Sequence, residues 1–370
     1  MSTDRIRIFI LLPALTAILS APALVAQEPD PAARKPDPAA VEYYSKGLEL
    51  LRNRDVPNAA IAMEQAVTAD STYGDAHYAL AKTYKVLNRF DRAIRAFDAA
   101  TRHRVSSEGA LERIPAQLAD IYKKSAVKSF KQKKYREAIG SFEKALELKS
   151  GDADLFYLIG LCYKALRVNK AAVDAFQDAI DADSTYVKAY ASLAGLQRRQ
   201  GNIGAAAGTY RRAIALDSGY TKAYLGLARI QIHNKEFEDA LATLGRAVEV
   251  DPEFLEGHCL IGLTLSQKGL HQEAIEPLRR AIEIDDNHAD AHYVLGEAYY
   301  GIGEWKLALD SGLKATRLQR DYHAAEVVVA DAYTKLGQAS EARTWYNKAK
   351  VDNRFRDWCE QQLQDLDREL

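Results

Sequence analysis

From Ala40 onward, apolar residues recur at three- and four-residue spacing in short runs, each closed by a polar break. Residues 155–166, LFYLIGLCYKAL, form one such run; RVNK interrupts it, and AAVDAFQDAI resumes it at 171. That spacing predicts two amphipathic helices joined by a tight turn. Strand-type alternation is absent, so the expected class is all-α. The same helix-turn-helix pattern returns every 34 residues, in nine repeats that begin at Ala40, Gly74, Ala119, Ala153, Val187, Thr221, Leu255, Ala289 and His323.

Within the repeats, particular places hold particular sizes of side chain. The eighth residue is small throughout, as in Gly47, Ala81, Gly160, Gly262 and Gly296. The twentieth and twenty-seventh are always alanine, from Ala59 and Ala66 in the first repeat to Ala342 and Ala349 in the ninth. Between those alanines stands a large residue in eight repeats: Met63, Phe97, Phe142, Phe176, Tyr210, Leu244, Leu278 and Tyr346. Small residues let two helices approach closely, and the large one fills the gap beside them. In length and in small/large order the unit resembles the tetratricopeptide repeat, over 306 of 370 residues. The resemblance implies a right-handed superhelical solenoid of about nine helix-turn-helix units. One helix pair cannot bury both its faces, so each repeat needs its neighbours.

Departures from the pattern carry expectations of their own. Gly312 stands where the eighth repeat should have its large residue, which predicts a locally thin core. Ser129, Gln197 and Gln231 replace the aromatic residue or leucine of the eleventh place, and Pro277 should kink a second helix. Ser71 and Ser184, where the family usually has proline, are expected to cap the next helix or form a local side-chain turn.

The ends of the chain read differently. Arg5 and Arg7 precede the apolar run IFILLPALTAIL, and small residues follow, which describes a secretory signal peptide over residues 1–26. Cleavage after Ala26 is favoured over cleavage after Ala23, and an uncleaved N-terminal membrane anchor is the alternative. Residues 27–39, QEPDPAARKPDPA, form a polar, proline-rich linker. Repeats one and two occupy 40–107, a helical insertion 108–118, repeats three to nine 119–356, and a C-terminal capping helix 357–370. The cap should place Trp358, Leu363 and Leu366 on one face. These features point to an exported bacterial protein, periplasmic or secreted.

Composition excludes more than it suggests. The net charge is −1, so nothing global points to nucleic acid or a membrane surface, and no stable membrane insertion is expected after leader removal. Cys162, Cys259 and Cys359 are too widely spaced along the stack to bridge and should be free thiols. His288 and His292 stand four apart, but the repeat register assigns one to a junction and the other to a helix, so no metal is expected. His77, His258 and His292 share one place in their repeats, which points to packing. Cys259 adjoins His258, yet successive helix residues point about 100° apart, so no nucleophile pair follows. No enzyme activity and no cofactor are expected.

The resemblance assigns the first helices to a concave groove that holds an extended peptide or partner helix. Helical spacing then puts Tyr44, Tyr78, Lys82, Lys85, Lys123, Lys131, Tyr157, Lys164, Arg198, Arg199 and Arg229 on that surface, followed by Glu256, Cys259, Tyr293, Glu297, Tyr300 and Asp331. The surface is basic and tyrosine-rich in its first two-thirds, then more acidic and apolar. Cations beside aromatic platforms suit an acidic extended segment. No asparagine occupies the ninth place of any repeat, which argues against the chaperone-tail clamp found in part of the family. The expected function is a non-enzymatic scaffold or assembly adaptor in the bacterial envelope, with a protein or peptide partner; a self-associating structural module is the alternative.

Overall fold

A computed structural model describes residues 35–106 and 109–368. The expected signal peptide and most of the linker lie outside the described residues. Among those residues there are nineteen helices and no strand. The chain divides into two compact bodies, one ending at Ile121 and the other starting at Tyr122. The first body holds α1 (Pro38–Arg52), α2 (Val56–Ala69), α3 (Gly74–Val86), α4 (Phe90–Arg102) and the start of α5 (Ala110–Lys131). The second continues with α6 (Tyr135–Leu148), α7 (Ala153–Ala165), α8 (Asn169–Ala182), α9 (Val187–Arg199), α10 (Ile203–Leu216), α11 (Thr221–His233) and α12 (Phe237–Val250). It ends with α13 (Leu255–Gln267), α14 (His271–Ile284), α15 (Ala289–Gly301), α16 (Trp305–Leu318), α17 (His323–Lys335), α18 (Ala339–Ala349) and α19 (Asn353–Arg368).

Consecutive helices pack on one another from α1 to α4 and from α6 to α19, so each body is an all-α helical repeat solenoid. First helices also touch their counterparts one repeat on: α9 with α11, α11 with α13, α13 with α15, α15 with α17. The terminal helix α19 touches α17 in the same way, which puts it where a tenth repeat would begin.

The small/large register explains the packing. All eighteen alanines of the twentieth and twenty-seventh places have no exposed surface. In repeats one, four and seven the large residue of the second helix lies over the eighth residue of the first. A Cβ added to Gly47 would come 2.7 Å from Met63 Cε, one on Gly160 2.5 Å from Phe176 Cε1, and one on Gly262 2.4 Å from Leu278 Cγ. Such distances leave no room for a methyl group without moving the larger side chain. At Gly312 the expected thin core is not found. A Cβ there would lie 2.7 Å from Val329 Cγ2, so the ninth repeat fills the space the missing side chain leaves. Close approach also persists on the other side, since the Gly296 Cβ position is 3.3 Å from both Ala308 O and Gly312 N.

The turn inside each repeat has one recurring conformation. The fifteenth residue has positive φ in all nine: Arg54, Asn88, Lys133, Arg167, Gly201, Lys235, Gly269, Gly303 and Gly337. The next residue's N–H then donates back to the eleventh carbonyl, as in Val168 to Tyr163 at 2.9 Å and Leu270 to Leu265 at 2.9 Å. This ends the first helix and satisfies its last carbonyls.

Junctions between repeats depend on aspartate rather than serine. Asp183 Oδ1 accepts from the Thr185 N–H at 2.8 Å and from its hydroxyl at 2.7 Å. Asp70 does the same with Thr72, and Asp251 and Asp285 accept from Glu253 and Asn287. Ser71 instead lends its carbonyl to His77 Nε2 at 2.9 Å, and Ser184 lends its own to the Tyr190 hydroxyl at 3.2 Å. The side-chain turn acceptor is therefore the aspartate three before the junction aromatic residue, not the serine two before it.

Three departures from the regular repeat fall at particular helices. The helical insertion expected at 108–118 is, over its described part from Ala110, the start of α5, which runs through Pro115 into the third repeat. Helix α14 likewise contains Pro277 within its span. In α19 the buried residues are Cys359 and Leu366, whereas Trp358 is 49% exposed. α1 begins at Pro38, capped by the Asp37 carboxylate, which accepts from the Ala39 N–H at 2.8 Å.

A left-handed residue other than glycine costs roughly 1–2 kcal/mol. Lys235→Gly should therefore raise the denaturant midpoint, while Gly269→Ala should cost about 1 kcal/mol, both read by helical circular dichroism. Equal midpoints in the two variants would show that the turn is not strained.

Candidate functional site

The sequence-predicted residues of the first body are largely engaged with neighbours. Tyr44 lies edge-on to Tyr73, with ring centroids 5.2 Å apart, and burial followed by the nearby Asp75 raises its pKa. Tyr78 meets Phe97 edge-on at 5.8 Å, and its hydroxyl accepts from Gln117 Nε2 at 3.0 Å. Lys82 Nζ stands 5.5 Å from the Tyr78 ring centroid, and Lys85 pairs with Asp120 at 2.8 Å.

In the second body, Lys123 pairs with Asp154, which also accepts from the Tyr186 hydroxyl at 2.7 Å. Tyr157 sits between Phe176 and Tyr186, 5.7 and 5.4 Å away. This tyrosine pair belongs to a ladder that the sequence pattern did not reveal. The fifth residue of a repeat meets the last residue of the same repeat, 29 positions on: Tyr44 with Tyr73, Tyr157 with Tyr186, Tyr293 with Tyr322. Their sequence signal is a tyrosine just before the next first helix, which on its own reads only as a junction.

The seventh repeat puts Cys259 and His288 at the ladder positions, with Sγ 3.8 Å from Nδ1. A cysteine and a histidine thus do meet, although not the pair adjacent in sequence. Burial, then Asp290 and Glu256, pushes the Cys259 thiol up to about 12, the opposite of an activated nucleophile. His288 Nδ1 meanwhile accepts the Ala291 N–H at 3.1 Å as a helix cap. His77, His258 and His292 share one contact: each ring Nε2 reaches the backbone carbonyl six residues earlier, at 2.9–3.0 Å. Among the described residues no group of three or more His, Cys, Asp or Glu could hold a metal ion.

Four of the predicted cations converge. Lys164 on α7, Arg198 and Arg199 on α9, and Arg229 on α11 are exposed, and among the described residues no carboxylate pairs with any of them. Desolvation, then the charge of Arg199, lowers the Lys164 pKa. Tyr210 forms the floor. A Cβ on Gly226 would be 2.2 Å from its Cζ, so that glycine leaves the space the ring occupies, while a Cβ on Gly195 would make an ordinary contact at 3.4 Å with its hydroxyl. Arg198 hydrogen-bonds the Tyr210 hydroxyl, and Arg229 and Arg199 act on it through space.

The last three repeats hold a cavity of about 630 Å³ on the first-helix face. Tyr293, Glu297 and Tyr300 of α15 form its middle, Val327 and Asp331 of α17 one side, Ser266 and His271 the other, with Phe355 of α19 at its end. Glu297 accepts from the Tyr293 hydroxyl at 2.6 Å, and Asp331 accepts from the Tyr346 hydroxyl at 2.6 Å. Burial raises the pKa of both carboxyls, against the opposing hydrogen bonds from Tyr293, and from Tyr346 and Trp358, respectively. Helical spacing placed Tyr293, Glu297, Tyr300 and Asp331 on this face; it did not find His271 or Phe355, which come from a second helix and the terminal helix.

The comparisons with known proteins agree with this architecture. Three family models described as tetratricopeptide repeat or TPR repeat match residues 44–104 and 130–187, 197–258, and 266–303. The chain belongs to the tetratricopeptide repeat family, whose fold serves as a protein-interaction scaffold. No curated protein matches it. Among solved structures it is similar to one from the functional characterisation of Pseudomonas aeruginosa pilF, at 17% identity and TM-score 0.51, covering 57% of this chain and 97% of that one. It is also similar to the APC/C hetero-tetramer Cut9-Hcn1, at 14% identity and TM-score 0.51, over 88% of this chain and 84% of that one. A tetratricopeptide repeat protein from Parabacteroides merdae matches at 12% identity and TM-score 0.50, over 68% and 99%. At these identities the likeness is one of fold.

A carboxyl whose pKa is raised by folding costs stability when ionised, and the cost disappears once pH falls below its unfolded value. Glu297→Gln keeps an acceptor for Tyr293 and removes the charge. The variant should have a higher denaturant midpoint than the parent at pH 7, with the difference vanishing at pH 4. A midpoint lower at both pH values would show that Glu297 is stabilised as a carboxylate.

Proposed function

We propose that the protein is a non-enzymatic scaffold in the bacterial envelope that holds an extended acidic segment of a partner protein against the first helices of repeats four to six. The carrying observation is the group Lys164, Arg198, Arg199 and Arg229: the three arginines act on Tyr210, Arg199 acts on Lys164, and no carboxylate pairs with any of the four among the described residues. Burial first and the charge of Arg199 second disfavour the charged form of Lys164, and a bound carboxylate would oppose both. Arginine forks receive carboxylates in a bidentate manner, and the neighbouring Tyr157 offers a flat apolar contact. By contrast, Lys85 and Lys123 already have acidic neighbours and are poorer candidates for partner contact. Tyr44, Tyr78 and Lys82 belong to the first body and are not part of this group.

Charge reversal tests this reading. Lys164→Glu with Arg198→Glu should weaken capture of the natural partner roughly tenfold, and residual binding should respond less to added salt. Both side chains are exposed, so circular dichroism should be unchanged. Undiminished binding by the double variant would move the contact away from these repeats.

The envelope location rests on the leader-like start: Arg5, Arg7, the apolar run and the small residues at Ala23 and Ala26. Mass spectrometry of the natural protein should find a mature terminus at Gln27 or Leu24. An intact Met1 terminus would reject cleavage.

A further inference from the structure

The cavity of repeats seven to nine has a chemistry opposite to that of the basic group, and nothing in the acidic-segment reading uses it. We propose that it receives the guanidinium of an arginine side chain from a partner chain. Two carboxyls, Glu297 and Asp331, face a space of about 630 Å³ that is large enough for an arginine side chain and the backbone carrying it. Each is oriented by a tyrosine hydroxyl that donates to one oxygen, Tyr293 to Glu297 and Tyr346 to Asp331. No salt bridge engages either carboxyl among the described residues; of the cations, Lys335 acts on Asp331 as its weakest influence.

Two further observations point to a missing donor and acceptor rather than a closed core. Ser266 and His271 line the same cavity, and Ser266 Oγ and His271 Nδ1 are buried with no hydrogen-bond partner among the described residues. The imidazole is not loosely packed: a Cβ on Gly301 would come 2.4 Å from His271 Cδ2, so the ring is pressed against α15. Buried polar atoms are ordinarily satisfied, and unsatisfied ones gathered at a cavity mark a place for a polar ligand. A guanidinium carries five N–H donors in a plane, which suits two carboxylates and further acceptors at once. Its faces suit the rings of Tyr300 and Phe355 at the cavity wall. An anion would meet two carboxyls here, and an apolar side chain would leave both of them desolvated and unpaired.

The source is a protein segment because the cavity lies on the first-helix face, open along α13, α15 and α17, and is bounded at its end by α19. An extended chain crossing that face could place one side chain here while its neighbours contact adjoining repeats.

The test uses the full chain and saturation-transfer difference NMR, which detects weak binding to a large protein. Probes are the capped tripeptide acetyl-Ala-Arg-Ala-amide, its citrulline counterpart, which is nearly the same shape without charge, and free agmatine. Saturation of the arginine side-chain protons should exceed that of citrulline roughly fivefold, because charge-assisted bonds are lost with the charge. Glu297→Gln combined with Asp331→Asn should reduce the arginine signal by a similar factor. Lys164→Glu with Arg198→Glu should leave it unchanged, which separates this site from the basic one. Equal signals from the arginine and citrulline peptides overturn the proposal, and that comparison needs no variant to fold. An undiminished signal in the carboxyl variant also overturns it. Agmatine binding more tightly than the peptide overturns the assignment to a partner chain and makes the ligand a small amine-bearing molecule.

Discussion

The closeness of paired helices governs everything else in this molecule. At the eighth place of several repeats there is no volume for a Cβ, because Met63, Phe176 or Leu278 already fills it. The alanines at the twentieth and twenty-seventh places are likewise fully enclosed. Interiors of this density tolerate neither an added methyl group nor a missing one without local rearrangement. A repeat therefore has little freedom in how its two helices meet, and the face its first helix presents is set by that meeting. The eighth repeat shows the strength of the constraint. It lacks its large residue at Gly312, and the ninth repeat supplies Val329 to the same space.

The same constraint connects core and surface at two places. The twenty-fourth residue ordinarily ends inside the core, but tyrosine is longer than phenylalanine or leucine by a hydroxyl. In the fifth repeat Tyr210 extends past Gly195 and Gly226 into the basic group. In the ninth, Tyr346 extends to Asp331 and donates to it at 2.6 Å. One side chain thus packs the helices together with its ring and sets the polarity of the first-helix face with its oxygen. A phenylalanine at either place would keep the packing and withdraw the hydroxyl, leaving Asp331 with one donor fewer or Arg198 without its partner.

The fold was readable because size follows register so closely here: nine alanines at each of two places, and a small residue at a third, need no structure to interpret. The turn conformation was only partly readable. Glycine announces positive φ at Gly201, Gly269, Gly303 and Gly337, whereas Arg54, Lys133, Arg167 and Lys235 adopt it with no such signal because tertiary closure of the repeat imposes it. The face was readable as a set of positions, since Lys164, Arg198, Arg199 and Arg229 follow helical spacing. Which of its cations are already paired was not, because Lys85 and Lys123 find Asp120 and Asp154 on a neighbouring helix or beyond it in sequence by more than 30 residues. The Cys259–His288 contact and the tyrosine ladder were hidden for the same reason: both join residues 29 apart through the repeat geometry. His271 and Phe355 escaped because a cavity draws on elements outside the helices that define its face.

Glu297 and Asp331 pose the sharper question of why a packed solenoid keeps two desolvated carboxyls on one face. Glutamine at 297 would accept from Tyr293 equally well, and the burial that raises the glutamate's pKa shows that its ionised form is held at a cost. The cost is local: the seven preceding repeats use their ninth places for aliphatic residues, glycine or exposed cations, never for a carboxylate. A charge held against its own solvation free energy makes physical sense when something else completes its environment. A cation entering the cavity would do so, returning both carboxyls toward their ordinary ionisation and giving the two orphaned polar atoms a polar neighbour. On that reading the last three repeats are less stable alone than their packing allows, and binding recovers the difference.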